Sequence, residues 1–256
     1  MPIPDLPLVT AISYVAPGGR GGSHPVVLAS AEGELLHVKF HGNRQGVLTL
    51  FHEWLAARLA VLVGAPLPEA KLVVLSQSLL RHPALMPYHV SSGPHFATRY
   101  RPSRALSGTH LRRLANRRSL PLALLFESWL FQLDGKGDHL RVDELEGPPK
   151  FFVADHGFLF PGGPSWTRTS LAEDADVFPF PRHLLRCLGT MSAADAEAAL
   201  AQLQGLPEEA IWEAASGTPT EWGIPSWRVD AAARFLTARQ RLLVKPYVLL
   251  RHLLGA

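Results

Sequence analysis

The sequence predicts an α+β protein with a small strand-rich amino-terminal part, residues 1–98, and a larger, mostly helical carboxyl-terminal part, residues 99–256. Short apolar runs separated by glycine- and proline-containing turns occupy the first 75 residues, a pattern typical of strands. The run Leu122–Leu133 is apolar on nearly every side, which indicates a helix buried in a larger body. Further helical patterns follow toward the carboxyl end, so strands and helices segregate along the chain.

One helix and several strands are predicted in the amino-terminal part. The helix runs from about Val47 to Val63, because Gly64 follows its last apolar residue. The segment Ala16–Ser23 contains four glycines, whose backbone amides could approach a phosphate closely. It fits no phosphate-binding glycine motif, so it is either a flexible hairpin loop or a phosphate lid. The predicted strands are Leu8–Tyr14, Pro25–Ala29, Glu34–Phe40 and Ala70–Leu75.

The carboxyl-terminal part contains one predicted hairpin and several helices. Phe96–Tyr100, at the boundary, is interpreted as an edge strand or a hinge. Leu140–Val142 and Lys150–Val153 are expected to pair around turn-forming residues. The last helix, about Val229–Leu254, should be kinked at Pro246. Other predicted helices are a short one near Arg182–Leu188, one capped by Ser192 that ends at Gln204, and one that starts at Pro207.

Composition indicates a globular protein of 256 residues, with 47% apolar and 18% charged residues. The single cysteine, Cys187, excludes an internal disulfide framework and is consistent with a reducing compartment. The first residues lack the basic and apolar stretches of a secretory signal, and no segment reaches the ~18 apolar residues of a membrane span. We therefore expect a cytoplasmic protein with no membrane partner.

Asp134 and Asp155 are the first candidate site residues, since each follows a strongly apolar run. Separately, each carboxylate could be a polar helix exit or a turn residue. The predicted hairpin between them would bring both to one edge. Phosphoryl transfer uses such a pair, with one carboxylate to orient the acceptor hydroxyl and one to hold the metal on the nucleotide phosphates. The pair therefore favours a kinase-like site.

Lys39 and Glu53 support the same interpretation. Lys39 ends the predicted strand Glu34–Phe40 between apolar residues, and a lysine is seldom buried without a partner. Glu53 lies on the following helix and offers one. A strand lysine paired with a helix glutamate orients the nucleotide phosphates in kinases.

With Lys39, Glu53, Asp134 and Asp155 in this order, the chain resembles the HipA-like kinases, a bacterial branch of the protein-kinase-like fold. The resemblance covers most of the chain and implies a two-lobed fold, in which the small strand-rich N-lobe covers the nucleotide and the larger C-lobe is mostly helical. It also depends on the segments Arg58–Ala60, Val63–Ala70, Gly93–Tyr100 and Asp155–Phe160.

The resemblance implies an ATP-dependent kinase that uses Mg²⁺ and acts on a Ser or Thr hydroxyl of a protein substrate. Lys39 would contact the ATP phosphates, Asp134 would be the catalytic base and Asp155 would bind magnesium. The loop departs from the family pattern at His139, where an asparagine ligand is expected. Magnesium prefers oxygen ligands, so Asp138 could substitute for it, and Lys136 could neutralise phosphate charge in place of a missing arginine. The departure keeps a nucleotide-binding pseudokinase open as an alternative.

An arginine-rich segment suggests a second class of function. Seven arginines between residues 99 and 118 occur with no acidic residue among them. They could bind the phosphates of a nucleic acid or form a solvated surface. No recognition helix, zinc finger or RNA-binding aromatic pattern accompanies them, so a nucleic-acid partner is the less favoured interpretation. Zinc-protease and serine-nucleophile motifs are likewise missing from the sequence.

Overall fold

The computed structural model describes residues 5–19, 22–88, 90–145 and 147–256. Its strands form two sheets, a closed five-stranded barrel in the order β1-β2-β3-β5-β4 and a three-stranded sheet in the order β6-β7-β8. The strands are β1 (Leu8–Pro17), β2 (Val26–Ser30), β3 (Leu35–Lys39), β4 (Ala70–Leu75), β5 (His95–Arg99), β6 (Arg104–Ala105), β7 (Leu140–Asp143) and β8 (Lys150–Val153).

The described part of the chain also contains ten α-helices, most of which follow the barrel in sequence. None of them is both long and apolar enough to cross a bilayer. The helices are α1 (Leu48–Val63), α2 (Gln77–Leu80), α3 (Gly108–Leu111), α4 (Leu120–Trp129), α5 (Arg168–Glu173), α6 (Arg182–Leu185), α7 (Ala193–Gln204), α8 (Glu208–Ser216), α9 (Ser226–Arg241) and α10 (Val244–Leu253).

The barrel closes because β1 is long enough to pair with two strands. Residues 8–11 pair in parallel with β4, whereas residues 11–17 pair antiparallel with β2. Every strand predicted in the first 75 residues is confirmed. The interpretation of Phe96–Tyr100 as an edge strand is wrong, because β5 pairs with both β3 and β4. A short apolar run does not reveal how many neighbours it will have, since those neighbours come from distant parts of the sequence.

Helix α1 lies between the barrel and the helices, which explains why it is buried on nearly all sides. Leu50 and Trp54 pack with Phe96 of the barrel, whereas Phe51 and Leu55 join the large helical core. The helix ends at Gly64, whose φ of 59° is left-handed and favours glycine. The prediction of this helix is confirmed to within one residue.

Helix α4 is shorter than the predicted Leu122–Leu133. It ends at Trp129 because Arg239 donates hydrogen bonds to the carbonyls of Ser128 and Trp129, at 2.6 and 2.8 Å. The chain then leaves helical geometry, with Phe131 at a φ of 58°. Leu133 and Leu130 instead form backbone hydrogen bonds with Phe158 and Phe160, respectively. Asp134 therefore lies in a loop beyond the helix.

The predicted hairpin is confirmed, since β7 and β8 pair antiparallel from Leu140↔Val153 to Asp143↔Lys150. The single helix predicted for Val229–Leu254 is wrong. The chain forms α9 and α10 with a break at residues 242–243, before Pro246. Pro246 lies in the first turn of α10, where a missing backbone N–H breaks no hydrogen bond of the helix.

Candidate active site

A cavity of about 720 Å³ lies between the barrel, the β7–β8 hairpin and the loops that carry Asp134 and Asp155. Its volume lies in the range of small-molecule sites. The structure brings all seven residues predicted for the site to this cavity, while their roles stay predictions. The seven are Lys39, Glu53, Asp134, Lys136, Asp138, His139 and Asp155.

Lys39 forms the centre of the charged group in the cavity. Its Nζ donates hydrogen bonds to Glu53 Oε1 and, at 2.7 Å, to Asp155 Oδ1. The side chains of Lys39 and Glu53 are only 7% and 6% exposed. Burial disfavours the ammonium charge, but the two carboxylates outweigh it and raise the pKa of Lys39 above its ordinary value. The predicted pairing of the strand lysine with the helix glutamate is confirmed.

Asp155 lines the cavity, and its side chain is 38% exposed. Burial would raise the pKa of its carboxyl, but the Lys39 ammonium outweighs burial and holds that pKa well below the usual range. Asp155 also adopts a φ of 68°, a left-handed conformation that is uncommon outside glycine. Such backbone strain persists where the surrounding structure enforces it, and it concentrates at functional sites.

The loops of Asp134 and Asp155 run side by side. Gln132 Nε2 donates to the Asp155 carbonyl at 2.9 Å. The Leu133 N–H donates to the Phe158 carbonyl at 3.1 Å. These bonds connect residues more than 20 positions apart, so they fix the two acidic residues relative to one another.

Asp134 pairs with Lys136, whose Nζ lies 2.8 Å from Asp134 Oδ2. This hydrogen bond raises the pKa of Lys136. Both groups face solvent, since Lys136 is 62% and Asp134 28% exposed at the side chain. The pair is therefore accessible to a molecule that enters the cavity.

His139 and Asp138 occupy the end of the same loop. His139 is buried, and its Nε2 lies 3.7 Å from Asp155 Oδ2, while Asp138 is exposed. Within the described ranges, no three His, Cys, Asp or Glu side chains are grouped so that they could hold a metal ion by themselves. Magnesium, however, usually keeps several waters and needs one or two carboxylates beside substrate phosphates. The ionised Asp155 carboxylate fits that requirement.

Two histidines of the site were not predicted. His37 precedes Lys39 by two residues on β3 and lines the cavity, with Nε2 3.1 Å from the Gly18 carbonyl. Burial, followed by the charge of Lys39, lowers the pKa of His37 to about 4, so the ring is neutral at pH 7. The two-residue period of a strand places His37 and Lys39 on one face, a signal that could have identified it.

His52, the residue before Glu53, connects α1 to the Asp155 loop. Its Nδ1 lies 2.8 Å from the Gly157 carbonyl, and its Nε2 accepts a hydrogen bond from Trp166 Nε1 at 3.0 Å. Burial lowers the pKa of His52 to about 3, which keeps the ring neutral. This neutral ring can donate at Nδ1 and accept at Nε2, as both bonds require. A single histidine within an apolar helix gave no sequence signal for this role.

The glycine-rich segment contributes part of the cavity wall through Gly18, Gly19, Gly22 and Ser23. Arg20 and Gly21 of this segment lie outside the described residues. A Cβ on Gly18 would lie 2.8 Å from the carbonyl carbon of Pro25, so the close turn requires glycine there. This placement is compatible with a flexible hairpin loop and with a phosphate lid.

The arginine-rich segment divides into two groups. Arg101 lies 2.8 Å from Asp143, and Arg99 lies near Glu34, so these two have acidic neighbours and line the cavity. The others face solvent away from the cavity lining. They are Arg104, Arg112, Arg113, Arg117 and Arg118.

A protein-family model described as HipA-like kinase matches residues 15–138, just under half of the chain. The resemblance predicted from the sequence is therefore confirmed. The match includes Lys39, Glu53 and Asp134, while Asp155 and His139 lie beyond it. No curated protein sequence matches the chain.

Two solved structures are similar to this one. The crystal structure of the Helicobacter pylori proinflammatory kinase CtkA has a TM-score of 0.59 at 13% identity, covering 90% of this chain and 93% of that chain. HipA of Shewanella oneidensis MR-1, from a complex with HipB and operator DNA, has a TM-score of 0.45 at 11% identity, covering 90% of this chain and 61% of that chain. The likeness to CtkA shows a common fold.

Proposed function

We propose that this protein is an ATP-dependent kinase that transfers a phosphoryl group to a hydroxyl, with a Ser or Thr of a protein as the acceptor. The observation that carries the proposal is the bonding of Lys39 to both Glu53 and Asp155 in a cavity that Asp134 also lines. A lysine held by a helix glutamate beside two separate carboxylates is the arrangement that protein kinases use for phosphoryl transfer. The match to HipA-like kinases supports the same activity.

The fold would then have two lobes. Residues 1–98, which include the barrel and α1, would form the N-lobe that covers the nucleotide. Residues 99–256 would form the helical C-lobe with the Asp134 and Asp155 loops. The position of the cavity between these parts, with α1 packed against both cores, supports this division. The one cysteine, Cys187, is free and buried, which fits a cytoplasmic protein.

On the nucleotide side, Lys39 would bind the ATP phosphates and Glu53 would orient it. The ammonium keeps its charge because two carboxylates stabilise it, so it can attract phosphate without a change of protonation. The glycine-rich segment would cover the phosphates with backbone amides, and neutral His37 would hold that segment through the Gly18 carbonyl. These residues bind and orient; none of them exchanges a proton.

On the acceptor side, Asp134 would accept the hydroxyl proton and orient the oxygen toward the phosphorus atom. Lys136 would move from Asp134 to the transferred phosphate and stabilise its charge. The exposure of both side chains supports this, because an acceptor must reach Asp134 from solvent.

Asp155 would hold Mg²⁺, with Asp138 and His139 as the further candidates. The metal would neutralise charge on the phosphates. The carboxylate oxygens of Asp155 suit magnesium, whereas the imidazole of His139 suits it less well. Since Asp155 Oδ1 accepts from Lys39, one carboxylate oxygen remains for a cation.

A pseudokinase that binds nucleotide without transfer is the second candidate. It is favoured by His139, which stands where an oxygen ligand is expected and directs its ring toward Asp155. We do not assign nucleic-acid binding, because the five exposed arginines lie outside the cavity lining.

The purified protein with labelled ATP, magnesium and cell lysate tests the proposal. We expect label transfer to protein in the wild type and a loss of roughly 10²–10⁴-fold in Asp134→Ala and Asp155→Ala. Asp176→Ala, which removes an exposed carboxylate paired with Lys245, serves as the control and should keep full activity. Nucleotide binding without any transfer would replace the kinase with the pseudokinase.

A further inference from the structure

A buried charged cluster lies directly behind the cavity. Glu127 of α4 stands between two imidazoles, with Oε1 3.4 Å from His156 Nε2 and Oε2 3.2 Å from His183 Nε2. The three side chains are no more than 2% exposed. They come from α4, the Asp155 loop and α6, so the cluster joins three separate parts of the fold.

The buried Glu127 carboxylate faces both imidazoles. Burial would raise the pKa of its carboxyl, but the two imidazoles outweigh burial and lower it. Neither carboxylate oxygen meets hydrogen-bond geometry with any group in the described part of the chain, so its two close contacts with the imidazoles are ion-pair contacts at 3.4 and 3.2 Å. A buried charge is costly unless it is paired, so the positions of His156 and His183 are tied to that of Glu127.

Each histidine touches one of the two acidic loops. His156 follows Asp155 in sequence and lines the cavity. His183 packs against Gly135, the neighbour of Asp134, and a Cβ on Gly135 would lie 2.7 Å from His183 Nδ1. Glu127 is thus connected to the Asp134 loop through His183 and to the Asp155 loop through His156.

We propose that Glu127 is a positioning residue that sets the Asp134 loop and the Asp155 loop in register with each other. Its contribution to phosphoryl transfer rests on the proposed function, whereas its effect on the two loops does not. An apolar residue of similar volume would fill the same core space without this connection. The contacts of Glu127 with His156 and His183 therefore give this buried carboxylate a role that an apolar residue could not fill.

Amide hydrogen exchange in Glu127→Gln tests the positioning without any assumption about activity. Two bonds report on the register of the loops, from the Leu133 N–H to the Phe158 carbonyl and from the Phe160 N–H to the Leu130 carbonyl. We expect both amides to exchange at least about tenfold faster, while the amides of α9 keep their protection. Ser128→Ala removes a buried hydroxyl from the same helix that has no hydrogen-bond partner among the described groups, and it should leave both amides unchanged.

Kinetics of the same variant supply the second measurement. We expect kcat to fall at least about tenfold with a smaller change in KM for ATP, because Lys39 keeps its pairing with Glu53 on the nucleotide side. If the wild type transfers no phosphate, the proposed function fails and the exchange measurement alone decides the positioning role. Unchanged exchange at Leu133 and Phe160 would overturn that role, as would an equal loss of protection throughout the protein.

Gly135→Ala provides a second route that leaves Glu127 intact. The added methyl group would push against His183 and should give the same selective loss of protection at the two amides. Gly189→Ala, where no atom lies within 4 Å of the added group, is the matched control. If Glu127→Gln does not fold, the comparison of Gly135→Ala with Gly189→Ala tests the positioning role instead. Identical exchange at the two amides in these alanine variants would overturn the proposal.

Discussion

The two ends of the cavity hold their charges differently. At the barrel end, Lys39 and Glu53 are 7% and 6% exposed, and the lysine bonds to two carboxylates. At the loop end, Lys136 and Asp134 are 62% and 28% exposed and form a single pair. The first group is fixed by burial, whereas the second remains free to exchange partners with solvent or a bound molecule.

This difference has an energetic consequence. Removing one partner of a buried ion pair leaves an uncompensated charge and costs about 3–5 kcal/mol, whereas an exposed pair contributes about 0–1 kcal/mol. We infer that the barrel end is arranged before the nucleotide enters, while the loop end adjusts to the acceptor. Variants at each end can test this contrast.

Lys39→Met should have the largest effect. It leaves the carboxylates of Glu53 and Asp155 without their common cation, and we expect a loss of about 3–5 kcal/mol in the free energy of unfolding. Phosphoryl transfer should fall by roughly 10²–10³-fold. Lys71→Met is the control, because Lys71 also pairs with acidic residues on the barrel but does not line the cavity. Urea unfolding and label transfer measure both effects, and an equal loss of transfer in the two variants would contradict the placement of Lys39 at the nucleotide phosphates.

The charge of Asp155 should have the second largest effect, which is seen in the pH dependence of stability. Its lowered pKa means that the stabilisation is complete above the ordinary aspartate value of about 4 and is lost as the pH falls toward the folded-state value. Because the pKa of Lys39 is raised, the stabilisation that its charge provides is lost only when the pH rises above about 10. The difference in unfolding free energy between wild type and Asp155→Asn should therefore be constant from about pH 5 to 9.

Below about pH 4 that difference should shrink, by less than about 1.4 kcal/mol per pH unit because solvent screens a side chain that is 38% exposed. Denaturant titrations at several pH values measure it. A difference that stays constant down to pH 2 would show that the charge of Asp155 does not contribute to stability.

Lys136→Met should have the smallest effect. The pair with Asp134 is exposed, so the free energy of unfolding should change by less than about 1 kcal/mol. We expect transfer to fall by less than about tenfold, with the deficit decreasing as salt screens the charge. Lys245→Met, which removes another exposed paired lysine, is the control. A stability loss comparable with that of Lys39→Met would show that the loop end is as rigid as the barrel end.

Local pattern determined many elements and the central residues of the site. Periodicity and end signals gave α1, β4 and the β7–β8 hairpin with nearly correct bounds. Lys39 was identifiable because a lysine among apolar strand residues needs a partner, and Glu53 was the nearest candidate. These inferences succeed because they depend on side-chain spacing within one element, which the chain carries directly.

Tertiary structure decided everything that depends on contacts between distant segments. Helix α4 ends at Trp129 because Arg239, more than 100 residues away, occupies the carbonyls there. The same holds for the two neighbours of β5 and for the burial of Glu127 between two histidines. The apolar run around Glu127 indicates that the residue is buried, but it does not identify the two histidines that face it. Its role follows only from the charge partners that folding brings to it, because the cost of burying a charge depends on the whole environment.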